Sequence, residues 1–208
     1  IRGYIRKLPM KGTWVDVPGA DIGTHGRTQA WMLDELEEIQ GFHSPAAVND
    51  KPAEVNGTEL SREATGMGAF YIARELIRDM GWTEPVRFAV QGYGNVGGVA
   101  AEMLCAQGHK LMAVSDIFGG IANPDGIDPQ ALGRYVDQHK TVQGFPGSQA
   151  IRTEEVLTVP CDLLLPAAVQ SVIHQGNAED IHAKVVLECA NGPTTPGGEQ
   201  ILRRRGIL

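Results

Sequence analysis

The stretch Val86-Arg87-Phe88-Ala89-Val90-Gln91-Gly92-Tyr93-Gly94-Asn95-Val96-Gly97-Gly98-Val99-Ala100 decides the fold. Phe88-Ala89-Val90 reads as a buried strand that runs straight into a G-x-G-x-x-G loop. Beyond the loop, Val96, Ala100 and Leu104 recur on one helical stripe, extended by Val99 and Met103. A bare glycine pattern says little in a chain with 26 glycines. Its position between a strand and a helix says much more, because a dinucleotide site needs that context. Gly92 permits the tight turn, Gly94 lets a phosphate approach the backbone, and Gly97 allows helix and strand to pack closely. The new helix then offers N–H groups and the positive end of its dipole to a pyrophosphate.

Strands and helices alternate on either side of this loop. The spacing predicts a strand over Val86–Gln91, a helix over Asn95–Gln107 and a second strand over Lys110–Ser115. Asp128 followed by Pro129 is a cap with a first-turn proline, opening a helix that runs to about His139. Thr153-Glu154-Glu155 opens a short helix, Asp162–Leu165 is a third strand and Val185–Cys189 a fourth. Thr195-Pro196 starts a last helix that ends at Gly206. Strands of nearly continuous apolar character, alternating with helices, imply a sheet covered on both faces. The expected fold is therefore α/β, a Rossmann-like doubly wound and mostly parallel sheet. Helical connecting segments precede it. Thr24 reads as the cap of a helix over about residues 25–40, with Ala30, Leu33, Leu36 or Glu37 and Ile39 toward its buried side and Gly41 ending it. A polar loop spans Phe42 to Leu60. Ser61 then opens a helix in which Phe70, Ala73, Ile77 and Met80 recur at helical spacing, and Gly81 stops it.

A net charge of −7 argues against a nucleic-acid partner, whose phosphates need a basic face. The dense basic run Arg203-Arg204-Arg205 falls at a helix end, where cations meet the negative end of the dipole. No apolar run is long enough to span a bilayer, so no membrane partner is expected. Cys105, Cys161 and Cys189 are widely separated and form no C-x-x-C pair, which fits a reducing, cytoplasmic compartment. The histidines show no ligand spacing, and no metal site is expected. The sequence starts at Ile1 without methionine and stops at Gly206-Ile207-Leu208, just past a helix. It is expected to be a piece of a longer chain.

Asp116 ends the second strand, 19 residues after Gly97. That is where an acid accepts hydrogen bonds from the adenosine ribose hydroxyls. A carboxylate there repels a 2′-phosphate, which slightly favours NAD, while Ser115 beside it could leave room for the phosphate of NADP. The alternative for Asp116 is a turn-capping aspartate.

Several stretches together resemble the glutamate dehydrogenase group of the Glu/Leu/Phe/Val amino-acid dehydrogenases. They are Asp16 to Thr24, Ala30-Trp31-Met32, Lys51-Pro52, Ser61-Arg62-Glu63-Ala64-Thr65-Gly66, Gln91 to Gly97 and Val114-Ser115-Asp116. Asn123 to Asp128, Cys161-Asp162, Pro166-Ala167-Ala168 and Ala190 to Thr195 complete a set that keeps the family's order. The resemblance implies reversible NAD- or NADP-dependent oxidative deamination of L-glutamate to 2-oxoglutarate and ammonium. It implies residues 1–60 as the remnant of a substrate domain with a connecting helix, and 61–208 as the dinucleotide-binding domain. Asp21 matches the catalytic aspartate that relays protons; without the family it reads as a turn residue. Thr65 matches the threonine holding the nicotinamide carboxamide, in the same stretch as Arg62, a further cofactor contact. Asn95 and Val96 belong to the dinucleotide loop with Gly92, Gly94 and Gly97. Ala167 and Ala168 follow a strand's carboxyl end, where ligands of open sheets lie. Asn191 matches a residue near the nicotinamide ribose, with a self-made turn as its alternative. Trp31 and Met32 read as packing residues.

Leucine and phenylalanine dehydrogenases share the architecture, but the Arg-Glu-Ala-Thr-Gly stretch looks glutamate-type. The family's catalytic lysine, in a Gly-Gly-x-Lys-Gly-Gly setting, is absent from this sequence, as are its second lysine and its serine contact. Neither Lys7 nor Lys11 stands in such a setting. The resemblance implies a homo-hexameric full-length parent. A non-catalytic dinucleotide-binding module is the other expectation.

Overall fold

The computed structural model describes residues 1–7, 14–21 and 23–208; Lys11 and Ile22 lie outside them. Packing divides the chain into two units, Ile1–Arg62 and Glu63–Leu208.

In the first unit, α1 (Arg2–Lys7) and α2 (Gly26–Gln40) meet through charge as well as apolar contact. The sequence pattern gives no sign of α1, whose six residues are too few to show a period. Arg2 Nε and Arg6 Nε each donate to Glu35 at 2.8 Å. Glu35 is only 4% exposed, so its carboxylate depends on those two partners. The buried side of α2 is Gln29, Leu33, Glu35 and Leu36, rotated from the expected stripe, and Ile39 is exposed. Hydrophobic period alone places a glutamate outside; the two arginines make it tolerable inside. The helix is preceded by His25 as its N-cap rather than by Thr24. Thr24 Oγ1 instead accepts from the Asp21 N–H at 2.7 Å and donates to the Asp21 carbonyl at 2.8 Å. Gly41 ends α2 in the left-handed region, as expected.

The second unit begins with α3 (Ala64–Asp79). Ser61 does not open this helix; its hydroxyl donates to Asp50 at 3.0 Å within the first unit. Then follow β1 (Arg87–Gln91), α4 (Asn95–Ala106), β2 (Lys110–Ser115), β3 (Gly120–Ile127), α5 (Pro129–His139), β4 (Gln149–Ile151), β5 (Leu163–Pro166), β6 (Val185–Val186) and α6 (Pro196–Arg204). Among the described residues these strands form one sheet in the order β4-β3-β2-β1-β5-β6. The strands β2, β1, β5 and β6 are parallel, with Val90 opposite Val114 and Leu165. The fold is the expected mostly parallel α/β sheet.

The antiparallel pair β3–β4 at one edge is a departure. Asn123-Pro124-Asp125-Gly126, for which the sequence reading gives no element, lies inside β3, where the register with β2 is interrupted between Leu111 and Ala113. An irregular strand tolerates proline and glycine that a central one rejects. At the other edge β6 is two residues long rather than the five expected, although Leu187 N and Cys189 N continue to donate to Leu164 and Pro166. Thr153–Thr158 is a 3-10 turn.

Side-chain alternation splits the core. Phe88, Val90, Leu163 and Leu165 pack with Phe70, Ala100, Leu104 and Leu132. Ala89 and Leu164, one residue out of step, pack with Val156, Ile173, Ile181 and Leu202. Period 2 therefore delivers apolar side chains to both faces of the sheet. The caps expected for α5 and α6 hold: Asp128 accepts from Gln130 N at 2.9 Å, and Thr195 from Gly198 N at 3.2 Å. No helix among the described residues is long and apolar enough to cross a membrane.

Burial raises the Glu35 carboxyl, but hydrogen bonds and charge from Arg6 and Arg2 outweigh it and hold the group below its ordinary 4.5. A carboxyl lowered on folding contributes stability above its ordinary value and loses it as pH falls through the lowered one. Urea unfolding of the first unit, followed by the amide signals of α2, is therefore expected to weaken from pH 5 toward pH 3 (about the span of a lowered carboxyl). The Glu35→Gln variant will be less stable at pH 7 and flatter across that interval. Parallel pH profiles for the two proteins would refute this account of the pair.

Candidate dinucleotide-binding site

At the carboxyl end of β1 the chain makes contacts that only glycine permits. Gly92 sits at φ +99°, and a Cβ on it would lie 2.6 Å from the Ala168 Cβ. The loops after β1 and β5 are thus in contact, reinforced by Ala167 N donating to Gln91 O at 2.8 Å. A Cβ on Gly97 would stand 2.0 Å from the Gly92 carbonyl oxygen and 2.7 Å from Val90 Cγ1. The first turn of α4 is pressed directly onto the strand end. Gly94 differs from both: it is exposed, its φ is −106°, and nothing lies within 4 Å of where its Cβ would be. It is the open place in the loop, at a helix end with no side-chain cap. Such an end presents N–H groups and the positive dipole to an anion. The residues present therefore fit a pyrophosphate: two glycines shape the cradle and the third leaves it empty.

Thr65 lies on the first turn of α3, and its neighbour Gly66 fixes where that turn goes. A Cβ on Gly66 would meet Val99 Cβ at 2.6 Å, Val96 O at 2.8 Å and Asn95 O at 2.9 Å. The starts of α3 and α4 are thereby held together, which puts exposed Thr65 beside exposed Asn95 and half-buried Val96. The exposed Asn191 is in the loop that follows β6. That loop is zipped to the segment after β5 by Ser171 N to Gly192 O, Ile173 N to Pro193 O and Thr195 N to Ile173 O, each at 2.9 Å. Thus Gly92, Gly94, Asn95, Val96, Gly97, Ala167, Ala168 and Asn191 all belong to loops at the carboxyl ends of parallel strands, where the chain switches from β2 on one side of β1 to β5 on the other. Ligands of open α/β sheets lie at such a switch.

Asp116 follows β2 and is already occupied. Its Oδ1 accepts from the N–H of Phe118 at 2.8 Å and of Gly119 at 3.1 Å, and its Oδ2 from Val142 N–H at 2.7 Å. Turn-capping, the alternative for this residue, is what the carboxylate does here. Ser115 is fully buried.

Asp21 and Arg62 belong to the first unit, and both are exposed. The backbone of Asp21 is closed into a turn by Thr24, whose own N–H also donates to the Asp21 carbonyl at 2.8 Å. Ala20 N–H is held by Asp50 at 2.8 Å.

Two residues carry weight that the sequence pattern does not reveal. Gly66 is needed for close approach, which no periodicity of its own helix shows. Tyr93, inside the glycine loop, sends its hydroxyl to the Pro129 carbonyl at 2.8 Å and so ties the loop to the start of α5. No periodicity links residues that far apart. Burial pushes the thiols of Cys161 to about 12 and Cys189 to about 11, and raises that of Cys105, so none is poised as a thiolate nucleophile. Among the described residues no three His, Cys, Asp or Glu side chains are grouped to hold a metal. A cavity of about 630 Å³ beside β6 and α6, lined by Val186, Glu188, Thr194 and Leu202 among others, contains none of the candidate cofactor residues. Loop geometry, not cavity size, marks the site.

A family model described as Glutamate/Leucine/Phenylalanine/Valine dehydrogenase matches residues 57–208. Among solved structures the chain is similar to a hetero-hexameric glutamate dehydrogenase from Thermus thermophilus in its Leu-bound form, with TM-score 0.92 and 27% identity over 100% of this chain and 49% of that one. It is similar to glutamate dehydrogenase from Peptoniphilus asaccharolyticus at 33% identity and TM-score 0.76, over 99% of this chain and 49% of that one. A Plasmodium falciparum glutamate dehydrogenase shares the fold, with TM-score 0.88 and 24% identity over 100% and 47% of the two chains. The chain spans about half the length of the structures it matches.

The glycines separate by role under substitution. Gly97→Ala must displace a carbonyl and will cost at least about 1–3 kcal/mol, read by denaturant unfolding. Gly94→Ala will cost under about 1 kcal/mol as a helix-cap change, yet weaken NADH binding by about tenfold or more through the blocked phosphate approach. A Gly94→Ala variant that binds NADH like the parent would remove Gly94 from the site.

Proposed function

This chain belongs to the glutamate/leucine/phenylalanine/valine dehydrogenase family, and from that premise we propose that it supplies the cofactor half of an oxidoreductase. The reaction we assign is reversible NAD(P)-dependent oxidative deamination of L-glutamate to 2-oxoglutarate and ammonium. One observation carries the cofactor reading. Gly92, Gly97 and Gly66 are pressed against neighbouring atoms around the start of α4, whereas Gly94 has open space beside it.

The residues divide the work by position. The first turn of α4, through Asn95, Val96 and Gly97, receives the pyrophosphate on its N–H groups. Thr65, with Arg62 from the same stretch, holds the nicotinamide carboxamide side, and Asn191 the adjoining ribose. Ala167 and Ala168 offer backbone and little bulk beside the glycine loop. Bound NAD(P) supplies hydride transfer to and from the substrate Cα. Asp21 takes and returns the proton of the amino group, and the turn closed by Thr24 fixes its backbone for that task.

NAD is the slightly favoured cofactor. The turn after Asp116 carries Ile117, Phe118 and Gly119, which provide no cation for a 2′-phosphate. The glutamate assignment rests on the Arg62-Glu63-Ala64-Thr65-Gly66 stretch, and a hexameric parent on the assembly named for the Thermus thermophilus structure. The sequence holds no lysine in a Gly-Gly-x-Lys-Gly-Gly setting, so chemistry on the amino acid needs groups beyond these 208 residues.

Titration of the 208-residue chain with NADH and NADPH, followed by nucleotide fluorescence, is expected to show saturable binding of at least one. The same protein incubated with glutamate and NAD(P) is expected to form reduced cofactor no faster than a blank. Absence of binding would sink the cofactor reading, and robust glutamate oxidation would sink the division of labour.

A further inference from the structure

We propose that Asp116 is a positioning residue for the adenosine end of the site and does not choose between NAD and NADP. This rests on the cofactor reading above and revises one residue's part in it. A carboxylate that grips a ribose diol needs acceptor sites on both oxygens. An ionised carboxylate has about four such sites in all, and three at Asp116 are taken by Phe118 N–H, Gly119 N–H and Val142 N–H. Freeing them would undo the turn.

The rest of the residue is equally committed. Asp116 N–H donates to the Gly119 carbonyl at 2.8 Å, closing the 116–119 turn. Its own carbonyl accepts from Thr153 Oγ1 at 3.1 Å. Three segments far apart in sequence therefore converge on one aspartate: the β2–β3 turn, the loop before β4 through Val142, and the 3-10 turn at Thr153. Gly119 lies against the end of the Gln143 side chain, whose Nε2 would be 2.0 Å from a Cβ there. What this frame presents to solvent is apolar: Ile117 is 85% exposed and Phe118 61%. These side chains stand at the carboxyl end of β2, next to the glycine loop that Gly92 N–H ties to Ser115 O at 2.9 Å. The carboxylate shapes the tip; the tip meets the nucleotide.

The test uses two variants and two readouts. Asp116→Asn keeps the shape but cannot accept all three N–H bonds. It is expected to weaken NADH and NADPH together, by about fivefold or more, with their ratio unchanged within about twofold. Amide hydrogen exchange at Phe118, Gly119 and Val142 will quicken in the same protein. Ile117→Arg, which leaves every bond of Asp116 in place, is expected to move the ratio toward NADPH by about tenfold. The proposal is overturned if Asp116→Asn shifts the ratio toward NADPH by about fivefold or more. It is overturned equally if that variant lowers only the unfolding temperature and leaves both dissociation constants unchanged. A parent chain that binds neither nucleotide would refute the cofactor reading; the exchange rates would still show whether Asp116 holds the turn.

Discussion

The second unit depends on one contact, the first turn of α4 lying against the end of β1. With the Gly97 Cα this near the Gly92 carbonyl and the Val90 side chain, the helix axis must aim at the strand end. Any larger residue would swing the helix away and take its N–H groups off the loop. Other features follow from that closeness. Ala100 and Leu104 reach the same apolar layer as Val90, and Gly66 lets α3 pack closely on the same turn. Tyr93 can then span from the loop to the start of α5.

A sheet buried on both faces is what makes such a contact durable. Phe88 and Val90 face one core and Ala89 the other, and β5 repeats the pattern with Leu163, Leu165 and Leu164. A one-residue slip of either strand would exchange the two faces, so the register is fixed by packing. The loops at the carboxyl ends inherit that rigidity. They are short of side chains and long on backbone hydrogen bonds, with Ala167, Cys189, Ile173 and Thr195 all held by main-chain partners.

The two units share a habit in their use of carboxylates. Glu35 is taken inside and satisfied by Arg2 and Arg6, while Asp116 is held at a turn by three backbone N–H groups. In both places an acid that reads on paper as a free charge organises chain segments that are not neighbours in sequence. Removing either leaves donors that lose their acceptor, which is the costly direction for a hydrogen bond.

The sequence by itself determined the parts that obey local rules. The strand–loop–helix at Gly92–Gly97, the caps at Asp128 and Thr195, the stops at Gly41 and Gly81 and the stripe Phe70, Ala73 and Ile77 of α3 (though not Met80, which is exposed) are each decided by a few adjacent residues. Those residues also located the candidate cofactor loop. Only the tertiary structure decided the rest, because the deciding partner was distant. The strand β3, which runs into an Asn-Pro-Asp-Gly stretch, forms because β2 and β4 lie on either side of it, with Ala113 opposite Ala122 and Ile151 opposite Gly120. Glu35 goes inside because Arg2 and Arg6 reach it from another helix. Thr24 closes a turn on Asp21 in place of capping α2. Asp116 has the right spacing for a ribose acid, but Val142 and Thr153, far down the chain, claim its polar atoms. Spacing along a chain fixes where a side chain starts; which hydrogen bonds it keeps is settled by whatever the fold brings alongside.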